Sequence, residues 1–292
     1  MKIAMTGASG FLGTALRDAL ARERHDIVAL VRRDARPGEA RWDPDAGTVE
    51  KEKLAGIDAA IHLAGENISG LWTSEKKRKI LESRRNGTRT LATALASLDP
   101  KPRVLISISG INYYGSRGDE ILTEESTIGD SFLADVCREW EAATASASDA
   151  GIRVVTPRLG VVISREGGAL TKMMMPFKFG VGGRLGSGKQ WMSWIALQDA
   201  VAVILHLLEN DTLHGAVNAT SPNPIRNADF TAALAKALHR PAIFAVPAFA
   251  LRLFAGQMAE ELLLTSTRAV PKRLLDSGFT FGLPNIGDAL QQ

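Results

Sequence analysis

Three glycines in the segment TGASGFLG, Gly7, Gly10 and Gly13, follow an apolar run from Lys2 to Thr6 and precede Leu12, Leu16 and Leu20 at helical spacing. Strand, tight turn and helix in that order make an anion site. The turn needs a residue tolerant of unusual φ, the backbone must approach its ligand without an intervening Cβ, and the first helical turn offers free N–H groups and a positive dipole end. A pyrophosphate meets these conditions, so Gly7, Ser9, Gly10, Phe11, Leu12 and Gly13 are read as its contacts; the alternative is a tight turn with no ligand. Arg32 and Arg33 close the next apolar run, Asp26–Val31, where a free ribose 2′-hydroxyl would call for an acidic partner. Planar, permanently charged guanidiniums suit a 2′-phosphate instead, so the pair points to NADP(H) over NAD(H), unless it is a solvated basic turn. Leu63, Ala64 and Gly65 end a further apolar run, and such small residues let backbone pass close to an adenine or ribose; His62 before them contributes position rather than imidazole chemistry. Ser107, Ser109, Tyr113 and Tyr114 form a hydroxyl cluster at the end of the run RVLISIS, a good place to meet a substrate.

The elements that must hold these residues alternate. Strands are expected at 2–6, 26–31, 57–63, 103–109 and 151–163, with helices after the glycine turn and over 73–98 and 132–149. Crossovers of this length fit right-handed βαβ units and a doubly wound parallel sheet. The regular plan ends near residue 165, which gives a Rossmann domain over 1–165, its sheet open to later segments, and a smaller, partly helical substrate lobe over 166–292. In that lobe a glycine-rich stretch at 180–188 precedes a helix at 197–208, a strand at 216–220 and helices at 227–238 and about 248–264. The lobe is expected over the carboxyl ends of the strands, where open α/β sheets bind ligands.

Composition limits the alternatives. A chain of 292 residues with 45% hydrophobic content can bury one large core with a satellite, and its net charge of +3 is too small and too evenly spread for a nucleic-acid footprint. The single cysteine, Cys137, forms no internal disulfide, no apolar run approaches the length of a membrane span, and no metal-ligand spacing is present. A cytoplasmic protein, monomer or homodimer, with a small-molecule substrate is the expectation.

With TGASGFLG, HLAG and SISGINYYG in this order, the chain resembles the extended short-chain dehydrogenase/reductase superfamily, which contains nucleotide-sugar epimerases and dehydratases. More narrowly, HLAGENI, SRRNGT, FLADVCREWEAA, PRLGVVISREGGAL, GSGKQWMSWI and VPKRLLDSGFTF resemble its epimerase-like subfamily with a C-terminal domain of unknown function, the DUF1731 type, here about 240–290. The superfamily transfers protons with a Tyr followed four residues later by a Lys, assisted by a Ser. The matching positions here are Leu133 and Cys137, and the residues four beyond Tyr113 and Tyr114 are Arg117 and Gly118. The resemblance therefore implies Ser109 on the reacting oxygen and Tyr113 or Tyr114 as acid/base, the alternative being a serine that caps its strand end and tyrosines that pack against the lobe, with Arg84, in place of the family asparagine, as a cofactor contact. It also implies that Lys189, Gln190 and Trp191 grip a nucleotide-linked substrate, unless they belong to a mobile loop and the core. Met173–Met175 are read as adaptable core packing in preference to a pocket wall.

Two functions follow. One is an NADP(H)-dependent epimerase/dehydratase-like oxidoreductase acting on a small polar substrate, nucleotide sugars included. The other is a non-catalytic NADP(H)-responsive protein whose lobe arrangement a partner reads.

Overall fold

The computed structural model describes all 292 residues, Met1–Gln292. Strands β1 (Lys2–Thr6), β2 (Asp26–Val31), β3 (Glu39–Asp43), β4 (Ala59–His62), β5 (Val104–Ser107), β6 (Arg153–Leu159) and β7 (Gly215–Ala219) form one sheet in the order β7–β6–β5–β4–β1–β2–β3. These seven pair in parallel throughout. The chain runs outward from β1 to β3, then crosses to the other side of β1 as β4. That reversal opens a crevice at the carboxyl ends of β1 and β4, where Gly7 lies.

Both faces of the sheet are buried, which is why its strands read as continuous apolar runs. Along β1 the pleat sends Ile3 and Met5 to one core and Ala4 to the other. On the first face Leu16 and Leu20 of α1 (Phe11–Arg22) meet Ile61, Ile106 and the apolar stripe of α5 (Leu197–Glu209). On the second, Leu91 and Leu95 of α2 (Ser74–Ala96) meet Leu30, Trp42 and Leu105. Burying each of these leucines contributes about 1.5–3 kcal/mol. Thr73 caps α2 by accepting a hydrogen bond from the Lys76 amide at 3.2 Å.

Several elements depart from the sequence expectation. The sheet recruits β7 and packs α5 against its face, so residues beyond 165 contribute to the Rossmann core. β3 and the short strand Thr48–Val49, antiparallel to it, interrupt a segment whose charged residues hide its period. The expected strand over 151–163 breaks at Gly160, where a Cβ would lie 2.9 Å from the Ser193 carbonyl oxygen, and Val161–Ile163 pairs with Trp194–Ala196 instead. The expected helix over 132–149 divides into α3 (Phe132–Ala142) and a short turn, Ala145–Asp149. After α4 (Gly168–Lys178), α5 and α6 (Asn227–Leu238), the last long helix is α7 (Ala248–Met258). It breaks at Gly256, with φ 54° and ψ −136°, and passes into a single π turn over Ala259–Leu263. Such a turn is a frequent companion of functional sites.

The start of α1 is held by contact with the preceding turn. A Cβ on Gly13 would stand 2.1 Å from the Gly7 carbonyl oxygen, whereas one on Gly10 would meet only that oxygen, at 3.2 Å. Gly13→Ala therefore forces α1 away from the turn and is expected to cost about 1–3 kcal/mol in urea unfolding. Gly10→Ala should unfold within about 1 kcal/mol of the wild type, and equal destabilisation of the two variants would contradict the packing described.

Candidate functional site

The glycine turn meets the sheet through one buried threonine. Thr6 Oγ1 accepts hydrogen bonds from the Leu63 and Ala64 amides at 3.1 and 3.3 Å and lies 2.7 Å from His62 Nδ1. With two donors already on it, the hydroxyl gives its own proton to the imidazole, so His62 is neutral with its hydrogen on Nε2. Burial, with Arg84 nearby, pushes the His62 pKa down to about 3. This pins the backbone of Leu63 and Ala64 against Gly7, whose φ is +67° and whose Cβ would sit 3.0 Å from the Ala64 nitrogen.

Beyond the turn, Gly10 precedes α1 without any side-chain cap. The amides of Phe11, Leu12 and Gly13 find no acceptor in the chain, leaving a ring of free donors at a positive dipole end. Ser9 and Gly10 are exposed beside them. Gly65 lies against Arg84, a Cβ there falling 3.2 Å from the guanidinium carbon. Arg84 donates to the Glu66 and Ile80 carbonyl oxygens at 3.0 and 3.1 Å and covers the Trp140 ring at 4.8 Å.

The two arginines after β2 differ. Arg33 grips Glu39 through both terminal nitrogens, at 2.8 and 2.7 Å, and holds the Glu39 carboxyl down at about 2. Arg32 is exposed and makes no hydrogen bond or ion pair within the chain. Only Arg32 keeps its whole guanidinium for a ligand.

A cavity of about 640 Å³ opens beside this turn, at the carboxyl ends of the strands. Phe11, Arg84, Ser109, Asn112, Cys137 and Leu159 are among the residues that line it. Phe11 is fixed by the backbone opposite, since a Cβ on Gly167 or Gly168 would fall 2.7 or 2.8 Å from its ring. Ser109 donates to Glu141 Oε1 at 2.8 Å, and Arg158 clasps the same carboxylate with Nε and Nη2, each at 2.8 Å. Arg158 is 4% exposed, and removing Glu141 would strand that charge at a cost of about 3–5 kcal/mol. Cys137 faces the cavity with its Sγ 3.5 Å from the Gly110 carbonyl oxygen. Burial, then the Glu141 charge, pushes its thiol up to about 11, so it is a proton-bearing group at neutral pH and no nucleophile.

Neither tyrosine lines the cavity. Tyr114 is fully buried, donates to Asn218 Oδ1 at 2.7 Å and accepts from Arg158 at 3.0 Å; burial pushes its phenol up to about 12. Tyr113 lays its ring on the Arg158 guanidinium at 3.4 Å. Both tyrosines thus support Arg158 from behind, which corrects the expectation of an acid/base in the cleft. The substrate triad also separates. Lys189 is exposed and outside the cavity, Gln190 lines it but spends its amide on the Leu185 and Leu263 carbonyl oxygens, each at 3.1 Å, and Trp191 lines it while donating to Asp119 at 2.8 Å between Arg226 and Arg268. The glycine stretch serves packing. A Cβ on Gly183 would sit 1.8 Å from the Phe244 carbonyl oxygen, where Gly183–Leu185 pairs with Phe244–Val246. Of the three methionines, Met174 is buried in the core, Met173 packs against that core while also lining the cavity, and Met175 is exposed.

Sequence reasoning missed Glu141, Arg158 and Glu261. Glu261 caps α3 from the π turn, its carboxylate accepting from the Phe132 and Leu133 amides at 3.2 and 2.8 Å. No local pattern signals a cap that comes from 128 residues along the chain.

Two family models cover nearly all of this architecture. The model described as the NAD dependent epimerase/dehydratase family matches residues 3–219, and the domain of unknown function DUF1731 matches residues 246–292. The chain belongs to the NAD dependent epimerase/dehydratase family. Among its relatives, the epimerase family protein ML0860 of Mycobacterium leprae is 38% identical over 290 residues, covering 99% of this chain and 94% of that one. The epimerase family protein YfhF of Bacillus subtilis is 38% identical over 299 residues, covering 100% and 97%. The crystal structure of human epimerase family protein SDR39U1 (isoform 2) with NADPH superposes with a TM-score of 0.91 at 32% identity, covering 100% of this chain and 98% of that one. The epimerase/dehydratase match spans the strands of the large sheet, and the DUF1731 segment of this chain supplies the π turn that walls the cavity.

Because His62 stays neutral when folded and titrates near 6.5 when unfolded, its contribution is fully present above pH 6.5 and is lost as pH falls. Between pH 7 and 5 the wild type should lose about 2 kcal/mol more than His62→Asn in urea unfolding. Parallel pH profiles would show that His62 is not the buried neutral group described.

Proposed function

We propose that the chain is an NADP(H)-dependent oxidoreductase that acts on a substrate oxygen held in the cavity beside Ser109. The observation that carries this reading is the ring of free amides of Phe11, Leu12 and Gly13 around a turn that only glycine can make, opening directly onto that cavity. The human SDR39U1 structure, solved with NADPH, supports the cofactor choice. The amides of 11–13 would hold the pyrophosphate, Leu63, Ala64 and Gly65 would pass beside the adenosine, Arg32 would take the 2′-phosphate, and Arg84 would face the cofactor from α2. When bound, the nicotinamide ring supplies or accepts a hydride.

The chain's own residues hold the reacting oxygen. Ser109 is kept in place by donating to Glu141, itself locked by Arg158, and the protonated Cys137 thiol stands beside it on α3, turned to the Gly110 carbonyl oxygen. With its proton on Glu141, Ser109 presents its lone pairs to the cleft and would accept from a substrate hydroxyl, whereas a substrate carbonyl oxygen would have to draw the Ser109 proton from Glu141 or the Cys137 proton from the Gly110 carbonyl oxygen. The nucleotide-sugar substrate implied by the resemblance has less support, since Lys189 lies outside the cavity.

A second reading, an NADP(H)-responsive protein without turnover, is favoured by one observation: the positions of the superfamily's Tyr and Lys are the buried Leu133 and Cys137. Calorimetry and nicotinamide absorbance separate the two. Arg32→Ala should weaken NADPH by about tenfold or more and NADH by less than about twofold, with Arg33→Ala affecting NADPH less because Glu39 holds it. Equal losses for both dinucleotides would refute the phosphate role. Loss of nicotinamide absorbance with a carbonyl panel supports the oxidoreductase, and tight binding with no loss over the panel supports the second reading.

A further inference from the structure

The chemistry of the cavity wall points to a substrate class. Eighteen of its 32 lining residues are apolar. Away from Phe11 and Ser109 the wall is built by Ile68, Leu133, Val136, Met173, Met258 and Leu262. These six come from four separate parts of the chain, the 63–72 loop, α3, α4 and the segment from Met258 into the π turn, so the apolar character belongs to the cavity and not to one element. Lining carboxylates are absent, and the lining cations are only Arg84 and Lys172. Arg84 is bound to two main-chain carbonyls and stacked on Trp140. Lys172 is exposed on α4, leaving no pair of cations to neutralise a pyrophosphate within the cavity.

Several of the polar side chains on the lining are satisfied without a ligand. The Gln190 amide is spent on two carbonyl oxygens, the Trp191 indole on Asp119, and the Asn112 amide on the Glu261 carbonyl oxygen at 3.3 Å. The Glu261 carboxylate, instead of turning inward, caps α3. What stays available to a ligand is the lone pairs of Ser109, whose proton is on Glu141, beside the Cys137 thiol, together with the unpartnered Ser69, Thr265 and Lys172 on the lining of a chamber otherwise mostly apolar.

We infer that this cavity takes an apolar carbonyl or alcohol compound, an alkyl or ring-bearing molecule with one oxygen function, and not a nucleoside diphosphate sugar. The oxygen meets Ser109 and Cys137, and the apolar body lies along Leu133, Met173, Met258 and Leu262. The two methionines give this wall unbranched, polarisable side chains that adapt to the shape of the body they cover. The inference rests on the proposed cofactor only in giving the Phe11 end of the cavity to the nicotinamide ring.

Its test is a series of 2-alkanones from six to ten carbons, titrated with fluorescence and calorimetric detection against the full chain, with and without NADPH, beside UDP and UDP-glucose. Affinity should rise by about fourfold for each added methylene until the chamber is full. UDP and UDP-glucose should show no saturable binding at millimolar concentration. Met173→Glu and Met258→Glu, tested separately, should each weaken the ten-carbon ketone at least about tenfold, with NADPH affinity changed less than about twofold as the measure of intact folding. Micromolar UDP-glucose binding, or ketone affinity independent of chain length, overturns the inference even if NADPH binds normally. Chain-length-dependent ketone binding without any NADPH binding upholds the inference and refutes the cofactor reading instead.

Discussion

The closeness of α1 to the turn before it constrains everything downstream. With the Gly7 carbonyl oxygen 2.1 Å from where a Gly13 Cβ would stand, the helix begins directly on the strand end and its first amides face outward. The same turn leans on Ala64, and Ala64 is fixed by Thr6 and His62. A buried neutral histidine thus shapes an anion site it never touches.

The second half of the site is built by distant contacts. Ser109 lies two residues beyond β5, in the short strand Ser109–Gly110 that pairs with β6, and its direction is set by Glu141 on α3, which is set in turn by Arg158 on β6 with both tyrosines packed behind. Glu261 reaches back from the C-terminal segment to cap α3, and in doing so brings Met258 and Leu262 to the cavity wall. The family-specific segment is therefore part of the cleft rather than an appendage.

Legibility in the sequence follows the range of the forces involved. The glycine turn, β1, β2 and the stripe of α1 were readable because periodicity and turn chemistry are local, whereas the expected strand over 103–109 ends at Ser107 and leaves Ser109 in a separate short strand on β6. Whether the tyrosines pack or act on a substrate was undecidable in the sequence, because their surroundings are made by Arg158 and Asn218, 44 and 104 residues beyond Tyr114. The role of the glycine stretch at 180–188 was not legible, since a glycine that admits a neighbouring strand has the same signature as one that admits a phosphate. Arg33 was indistinguishable from Arg32 until β3 placed Glu39 beside it. The break of α7 at Gly256 was hidden within an apolar run with no other punctuation.

The most direct measurement of the central claim is a crystal structure of the chain with NADPH. Pyrophosphate oxygens are expected within hydrogen-bonding distance of the Phe11 and Leu12 amides, the 2′-phosphate against Arg32, and the nicotinamide ring in the cavity between Phe11 and Ser109. Density for the dinucleotide elsewhere, or a nicotinamide ring directed away from Ser109, would contradict that claim.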